Sequence, residues 1–233
     1  MEHKGRLTGK TIVITGSSKG IGRETAFLLE KEGANLVLGS RSNQEERKGN
    51  LLEVPLDVTD EQSIQDFVRK AIEHFGRIDV LINSAGVGVF ESILDSSVEE
   101  FDQMISTNLR GSFLTSKYIG KHMVQERKGH ILNLVSIAGT TALPGCGGYS
   151  ASKFGLLGLT KVMQAELRQH GVQVTAVLPG AVSSSFWENI EPRPDMSAMI
   201  PAEVVAKHLL ALITQPDGAY VDEITIMPPL GIL

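Results

Sequence analysis

The stretch over residues 15–22 constrains the fold more than any other part of this sequence. It has the pattern T-G-x-x-x-G-x-G and follows a β-branched run at 11–14 that predicts a buried strand. Residues 23–32, which come next, carry apolar side chains at the spacing of an amphipathic helix. Glycines at 16, 20 and 22 let the backbone turn sharply and approach a phosphate, whose charge a helix N-terminus attracts. The stretch therefore predicts either an anion site or a glycine-rich turn without a ligand.

Strand and helix patterns alternate along the whole chain, which is typical of a parallel sheet with helices on both faces. The predicted strands lie near 11–15, 35–39, 51–55, 78–83, 130–135, 172–178 and 222–227. The predicted helices lie near 20–32, 61–75, 98–127 in two pieces, 149–170 and 201–214. Because we see no internal repeat or linker, we expect a single α/β domain over 1–233, doubly wound and Rossmann-type, with a parallel seven-stranded sheet.

Composition excludes several classes of function. The net charge of −5 gives no reason to expect nucleic acid or an anionic membrane as a partner. We find no apolar run long enough to span a bilayer and no secretory signal at the N-terminus. The single cysteine, Cys146, allows no internal disulfide and is typical of a reducing compartment, so we expect a cytoplasmic protein. The six histidines are scattered, and we expect no metal site.

The end of the second predicted strand bears on which nucleotide the turn would hold. In dinucleotide-binding sheets an acid at this position binds a free ribose 2′-hydroxyl, whereas an arginine accommodates a 2′-phosphate. Here Ser40, Arg41 and Ser42 follow the strand, and Lys19 lies in the glycine-rich turn. Either base alone is typical of a solvated surface. Together, with the serine hydroxyls as further donors, they favour NADP(H).

Two more strand ends contribute candidate residues. Asp57 and Val58 follow the third predicted strand, and the Asp57 carboxylate could accept from an adenine amino group or cap the next turn. The sequence fits either role. The fourth strand ends in small residues at 83–86, which leave room for a ligand. Open α/β sheets bind their ligands at this carboxyl edge.

Tyr149 and Lys153 form the next candidate pair. They lie four residues apart on one face of a predicted helix, so the phenol and the ammonium are neighbours. A nearby positive charge lowers the pKa of a phenol from its usual value near 10, which favours proton exchange at neutral pH. Ser136 ends a predicted strand at the same sheet edge, where its hydroxyl could hold a carbonyl oxygen beside the phenol.

Together these motifs resemble those of the short-chain dehydrogenase/reductase family in its compact form, which includes carbonyl reductases and 3-oxoacyl-carrier-protein reductases. The resemblance spans nearly the whole chain in the family's order and spacing: the turn at 15–22, residues 83–86, Asn108, Ser136, Tyr149 with Lys153, and Pro179 with Gly180. We expect the strand order 3-2-1-4-5-6-7.

The resemblance implies a role for each motif residue. Tyr149 is the acid in carbonyl reduction or the base in alcohol oxidation, and Ser136 bonds to the substrate oxygen. Lys153 lowers the phenol pKa and binds the nicotinamide ribose, while Asn108 anchors a water in a proton relay. The cofactor NADP(H) contacts Gly16, Ser18, Lys19, Gly20, Ile21, Gly22, Ser40, Arg41, Asp57, Val58, Asn83, Ala85, Gly86, Tyr149, Lys153, Pro179, Gly180, Val182 and Ser184.

Two positions and the C-terminal segment depart from the family pattern. Ser84 replaces the second asparagine of the family's Asn-Asn-Ala-Gly motif, and Ser184 stands where a threonine usually contacts the cofactor amide. Both changes keep a small polar side chain. The segment at 226–229 lacks the common glycine pair after the last strand. Together with the short segment at 181–200, this departure weighs against a 3-oxoacyl-carrier-protein reductase.

The expected function is NADP(H)-dependent hydride transfer between a nicotinamide and a carbonyl or secondary alcohol carbon. One alternative is a nucleotide-sensing or scaffolding protein that kept the fold without the chemistry. Another is an epimerase or dehydratase of the larger related family, which would need a C-terminal substrate domain. Only about fifty residues follow position 180, so we disfavour this second alternative.

The expected partner is a small-molecule carbonyl or alcohol substrate. The candidate pocket comprises 137–148, including Leu143, Cys146 and Gly147, and also 87–90 and 181–200. The last segment, with Phe186, Trp187 and Met196, predicts either a lid over the pocket or a surface connection. Arg193 is the candidate for clamping a substrate carboxylate, or is solvated.

The sequence also predicts self-association. The helix that begins near Tyr149 carries Gly155 and Gly158 among apolar residues on more than one face, and only one face can cover the sheet. The tail at 230–233 is apolar as well. Because the resemblance points to assembly through such helices, we expect a homodimer or homotetramer.

Overall fold

The computed structural model describes residues 5–188, 190 and 194–232. Its strands are β1 (Thr11–Thr15), β2 (Asn35–Ser40), β3 (Glu46–Lys48), β4 (Leu51–Pro55), β5 (Val80–Asn83), β6 (Gly129–Leu134), β7 (Val172–Pro179), β8 (Val182–Ser183), β9 (Ile200–Pro201) and β10 (Glu223–Ile226). Its helices are α1 (Gly20–Lys31), α2 (Glu61–Phe75), α3 (Val98–Met104), α4 (Ser112–Glu126), α5 (Gly147–Leu167) and α6 (Ala202–Ile213).

The main sheet has the order β10-β7-β6-β5-β1-β2-β4-β3. Its seven longer strands are parallel and follow the predicted order, which confirms the doubly wound fold. The sheet has eight strands rather than the predicted seven, because β3 pairs antiparallel with β4 at the edge. All three residues of β3 are exposed and charged or polar, so no apolar alternation marked it as a strand.

Apolar layers cover both faces of the sheet, because successive strand residues point to opposite sides. On one face, Ile12 and Ile14 of β1 belong to a buried cluster with Leu29 of α1 and Leu209 of α6. On the other face, Val13 belongs to a cluster that includes residues of α2, α4 and α5. The predicted covering of both faces by helices is confirmed.

The predicted helix over 98–127 consists of two α-helices joined by a wider, π-type stretch. This stretch, Ile105–Gly111, lies between α3 and α4 and contains Asn108. Gly111 packs tightly against Val58, since a Cβ atom at 111 would lie 2.9 Å from the Cγ2 atom of Val58. Such wide turns occur often beside functional sites, and this one lies under the carboxyl edge of the sheet.

No helix in the described part of the chain combines the length and the apolar character that a membrane crossing requires. Among the same residues, we find no group of three His, Cys, Asp or Glu side chains arranged to hold a metal ion.

Candidate active site

A cavity of 1280 Å³ opens at the carboxyl edge of the parallel sheet. The strand order reverses there between β1 and β5, and ligands of open α/β sheets bind at such a switch point. Most of the predicted site residues line it: Gly16, Ser18, Lys19, Gly20, Ile21, Ser40, Arg41, Asp57, Val58, Ala85, Gly86, Ser136, Tyr149, Lys153, Pro179, Gly180, Val182 and Ser184. Gly22, Asn83 and Asn108 are described but do not belong to its lining.

The glycine-rich turn forms one end of the cavity. Gly16 and Gly20 have left-handed φ angles of 67° and 58°, which other residues rarely adopt. Gly22 lets α1 approach the turn, since a Cβ there would lie 2.4 Å from the Gly16 carbonyl oxygen. Lys19 is the N-cap of α1 and provides no side-chain cap. The N–H groups of the first helical turn therefore remain available to an anion.

Two cations border the cavity beyond this turn. Arg41 is exposed just after β2, and Lys19 is also exposed, with its Nζ atom 3.8 Å from Oε2 of Glu188. An ion pair this open to solvent contributes little stability. Both cations can therefore turn toward an anionic ligand at small cost.

Ser40 is bonded within its own loop. Its hydroxyl donates to Oδ1 of Asn43 at 2.5 Å, and the Asn43 amide donates to the Leu38 carbonyl oxygen at 2.9 Å. The expectation that Ser40 donates to a phosphate therefore needs correction, because its hydrogen is already used. Asn43 stabilises this loop, and nothing in the local sequence pattern marked it.

Asp57 caps the turn that follows β4. Its Oδ1 atom accepts hydrogen bonds from the Thr59 backbone at 2.9 Å and from the Thr59 hydroxyl at 2.7 Å. These bonds, and to a smaller extent the charge of Arg41, hold the pKa of the Asp57 carboxyl below its usual value. The sequence left two roles open for Asp57, and in this structure its carboxylate caps the turn at Thr59.

Asn83 points away from the cavity, contrary to the expectation that it contacts the cofactor. Its amide donates to Ser116 at 2.9 Å and to Asn133 at 2.8 Å, while its carbonyl oxygen accepts from Thr115 at 2.7 Å. All four residues are buried. Asn83 therefore joins β5, β6 and α4 beneath the site, because a buried amide needs partners for each polar atom.

Thr15 fixes the loop that follows β5, a role that the sequence analysis missed. Its hydroxyl oxygen accepts from the backbone N–H groups of Ser84 and Ala85, each at 3.2 Å. The glycine-rich turn approaches the same loop closely, since a Cβ at Gly16 would lie 2.7 Å from the Cα of Ala85. These contacts set the distance between the two loops that border the centre of the cavity.

Asn108 is fully buried, and its side chain does not reach the cavity. Its Oδ1 atom accepts from the Val87 backbone at 2.8 Å, and its Nδ2 atom donates to the Val87 carbonyl oxygen and to Ser152, both at 2.9 Å. Both amide hydrogens are used in these bonds, whereas Oδ1 can accept a second bond, so the water-anchoring role implied for Asn108 stays a prediction. The contacts of the side chain hold the 86–88 loop against α5.

Ser136, Tyr149 and Lys153 meet at the middle of the cavity wall. Ser136 is buried after β6, and its oxygen accepts the Ala138 amide hydrogen at 3.1 Å, which leaves its own hydrogen available to a ligand. Lys153 is buried one turn beyond Tyr149 in α5. Its Nζ atom donates to the Leu134 carbonyl oxygen at 2.7 Å and lies 5.6 Å from the centroid of the Tyr149 ring.

Burial decides how these groups titrate. It raises the pKa of Tyr149 to about 12, and the neighbouring Ser136 hydroxyl offsets only part of this rise. It also lowers the pKa of Lys153 to about 8. The expected lowering of the phenol pKa by Lys153 is therefore not found in this structure. A buried phenolate and a buried ammonium each lose hydration, and this loss outweighs their attraction.

The outer wall of the cavity combines three segments. Val87, Gly88, Val89 and Phe90 follow β5, and Phe186 and Trp187 come from the predicted lid, as does Ile190. Leu143 and Cys146 line the cavity as expected, whereas the expected Gly147 does not belong to its lining. Met196 lines a smaller adjoining groove instead. Glu91, Glu100, Gln103 and Thr107 also line the cavity and were not predicted. Arg193 lies outside the described residues.

Comparison with known proteins gives the same family along most of the chain. Residues 10–195 match the family model described as short chain dehydrogenase. An uncharacterized oxidoreductase of Staphylococcus aureus is 34% identical over 229 residues, which cover 95% of this chain and 98% of that protein.

Solved structures share the fold, and two of them have NADP or an NADP derivative bound. The alcohol dehydrogenase of the archaeon Thermococcus sibiricus, complexed with 5-hydroxy-NADP, has a TM-score of 0.85 at 30% identity and covers 93% of this chain and 95% of its own. ElxO with NADP bound has a TM-score of 0.85 at 28% identity, with coverages of 94% and 97%. Fold, motif order and sequence similarity agree. The chain belongs to the short-chain dehydrogenase family.

Proposed function

We propose that this chain is an NADP(H)-dependent oxidoreductase that transfers a hydride between the nicotinamide and a carbonyl or secondary alcohol carbon. One observation carries the proposal. Ser136, Tyr149 and Lys153 line the same cavity as the uncapped N-terminus of α1. A protein that only bound the nucleotide would need the helix N-terminus but not the other three groups. The two NADP-type ligands in the structural neighbours support the choice of cofactor.

The residues of the cavity fit this cofactor chemically. The free N–H groups of α1 suit a pyrophosphate, and Lys19 and Arg41 suit a 2′-phosphate. Gly86 packs closely over Asn108, since a Cβ there would lie 3.3 Å from Oδ1 of Asn108. The Lys153 ammonium donates one hydrogen to Leu134, which leaves two for ribose hydroxyls.

In carbonyl reduction the chain's own residues handle the substrate oxygen and the proton. When bound, the nicotinamide supplies the hydride to the carbonyl carbon and takes it back in alcohol oxidation. Ser136 donates its hydroxyl hydrogen to the substrate oxygen and holds it beside the phenol. Tyr149 then gives its proton to that oxygen as the alcohol forms. In oxidation the same phenol oxygen, as phenolate, takes the proton from the alcohol.

Lys153 supports this transfer from behind the tyrosine ring. With a pKa of about 8, its amine is mostly protonated at pH 7 and keeps a positive charge 5.6 Å from the ring centroid. That charge stabilises the phenolate that remains after the proton leaves. The raised pKa of Tyr149 keeps the phenol protonated before transfer, which suits an acid in the direction of reduction.

We also propose that 1–233 acts as a single domain, with 181–200 as the lid of its substrate pocket. Phe186 and Trp187 of this segment line the cavity, and the Trp187 indole N–H donates to the Val182 carbonyl oxygen at 2.8 Å. The indole is therefore fixed to β8. An aromatic cover of this kind excludes water from the reacting groups, which strengthens their electrostatic interactions.

A screen of NADPH oxidation tests the proposed function. We expect turnover with at least one class among ketones, aldehydes, quinones, 3-oxoacyl thioesters and keto acids, followed as loss of absorbance at the NADPH maximum. Binding of NADPH without turnover of any of them would favour the nucleotide-sensing or scaffolding alternative. Conversion of a sugar nucleotide without net change in NADPH would favour the epimerase class.

We further propose that the protein is a homodimer or homotetramer. Large apolar side chains are exposed on neighbouring helices: Phe101 on α3, Phe113 on α4, and Phe154 and Val162 on α5. Exposed apolar surface of this extent is typical of a protein interface. Light scattering at micromolar concentration should give at least twice the mass of one chain, and Phe154→Asp should reduce it. A monomer in the unmodified protein would contradict the proposal.

A further inference from the structure

Four aromatic rings converge at the end of the cavity that contains Tyr149. Phe90 follows β5, Tyr149 lies in the first turn of α5, and Phe186 and Trp187 follow β8. Phe90 and Trp187 stack almost in parallel, with ring centroids 5.4 Å apart and an angle of 17° between planes. The Phe186 ring lies among the other three, with centroids 6.0 Å from Phe90, 5.8 Å from Tyr149 and 5.4 Å from Trp187.

Phe186 occupies a slot whose floor is the backbone of Gly88. A Cβ atom at position 88 would lie 2.4 Å from Cζ of Phe186, so the ring can rest there only because this position is glycine. The ring contacts Phe90 and Trp187 edge to face, at angles of 71° and 84°. It has no polar atom and can leave without breaking a hydrogen bond, whereas the Trp187 indole is fixed to Val182.

The charges along the cavity indicate which ligands suit this slot. Among the described lining residues the basic ones are Lys19, Arg41 and Lys153. Lys19 lies in the glycine-rich turn and Arg41 just after β2, and Lys153 lies behind the Tyr149 ring. Glu91 follows Phe90 directly, and Glu100 of α3 lines the cavity as well. A substrate carboxylate would meet these acids without a basic partner among the described residues, so the slot suits an uncharged group.

We infer that the preferred substrates are uncharged aryl ketones or aldehydes, whose ring enters the slot between Phe90, Trp187 and Gly88 in place of Phe186. The inference rests on the proposed function, because the slot selects substrates only if Tyr149 serves a carbonyl group. A flat aromatic ring keeps the edge-to-face contacts that Phe186 makes. A puckered saturated ring of similar size loses them. A carbonyl group attached to the aryl ring then lies beside the phenol.

Matched ketones test this substrate class. Acetophenone and cyclohexyl methyl ketone are both uncharged, and only the ring of acetophenone is flat. Conjugation makes the acetophenone carbonyl the less reactive of the two toward hydride, so a preference for acetophenone reports on contacts of the ring. We expect kcat/KM with NADPH to be at least about tenfold higher for acetophenone, because the ring makes two or more aromatic contacts that the saturated ring lacks. Equal values, or a preference for the cyclohexyl compound, would overturn the inference.

Two leucine variants assign the preference to the slot. Phe90→Leu should lower the ratio of acetophenone to cyclohexyl methyl ketone about tenfold, while turnover of the cyclohexyl compound shows that the variant is folded. Phe27→Leu is the matched control, since Phe27 is a half-exposed residue of α1 outside the cavity lining, and the ratio should not change. An unchanged ratio in Phe90→Leu would also overturn the inference.

Binding measured without turnover separates this inference from the proposed function. Trp187 is the only tryptophan of the chain, so its emission reports on the slot. In the NADP⁺-loaded protein, benzamide should change this emission at a concentration about tenfold lower than cyclohexanecarboxamide. Equal binding of the two amides would count against the slot. Failure of every carbonyl compound in the NADPH screen would instead count against the proposed function.

Discussion

Replacement of Tyr149 by phenylalanine should reduce kcat for carbonyl reduction by a factor of about 10²–10⁴ or more, since a general acid contributes a factor in this range. The ring's packing against Phe90 and Phe186 does not need the hydroxyl, so the variant should keep the shape of the cavity. Binding of NADPH, measured by fluorescence titration, should change little. Near-normal turnover by Tyr149→Phe would remove this residue from the mechanism.

The pKa of the Tyr149 phenol determines the pH and the reaction direction in which the Tyr149→Phe variant is assayed. Because burial raises the pKa of Tyr149 to about 12, the phenol keeps its proton throughout the neutral range. Reduction at pH 7 therefore starts from the active, protonated form, whereas oxidation would start from a small phenolate fraction. Lys153, with a pKa of about 8, is also charged at pH 7. The assay belongs in the direction of reduction at this pH.

Tyr220 provides a matched control for this experiment. It is exposed and does not belong to the described cavity lining, so Tyr220→Phe removes a phenol hydroxyl outside the site. We expect its kcat to equal that of the unmodified protein. A loss in Tyr149→Phe that also appeared in Tyr220→Phe would point to a general effect on the preparation rather than to lost proton transfer.

The sequence predicted the seven parallel strands because their apolar runs are long and separated by recognisable helices. It could not predict β3, whose three exposed residues are ordered by hydrogen bonds to β4 rather than by burial. The same distinction holds at the site. Motif order brought the candidate residues to one sheet edge, but spacing does not say which way a side chain points.

The two buried asparagines show this limit. Asn83 bonds to Ser116 and Asn133, and Asn108 bonds to Val87 and Ser152, all through partners 21 or more residues away in the sequence. Only the packed fold decides that these amides turn inward. The raised pKa of Tyr149 also depends on the fold. The sequence shows a lysine four residues away, but it does not show that burial removes water from both groups.

Selectivity for NADPH over NADH should reach about 100-fold in kcat/KM. The 2′-phosphate brings about two negative charges to the loop after β2, where this chain has no acid at positions 40 and 41. Arg41 and Lys19 line that part of the cavity, and each charge-assisted contact contributes ~1.5 kcal/mol, or about tenfold. Higher ionic strength should weaken the binding of NADPH more than that of NADH, because the contacts with the 2′-phosphate are charged and open to solvent.

Substitutions at the end of β2 test which side chain distinguishes NADPH from NADH. Arg41→Ala should lower kcat/KM about tenfold with NADPH and change it little with NADH. Arg47→Ala is its matched control, because Arg47 is an exposed arginine of β3 outside the described cavity lining. The double variant Ser40→Asp with Arg41→Ile should reverse the preference, since it adds an acceptor for the free 2′-hydroxyl and removes the partner of the phosphate.

The structure adds one condition to the double variant. In the unmodified protein Ser40 donates to Oδ1 of Asn43. A carboxylate at position 40 would face that oxygen, unless the Asn43 amide turned its Nδ2 group toward the carboxylate. Turning breaks the bond to Leu38, so some loss of stability should accompany the change of preference. The competing view holds that Lys19 and Arg41 are only solvated surface. Equal kcat/KM for the two cofactors in the unmodified protein would decide for that view.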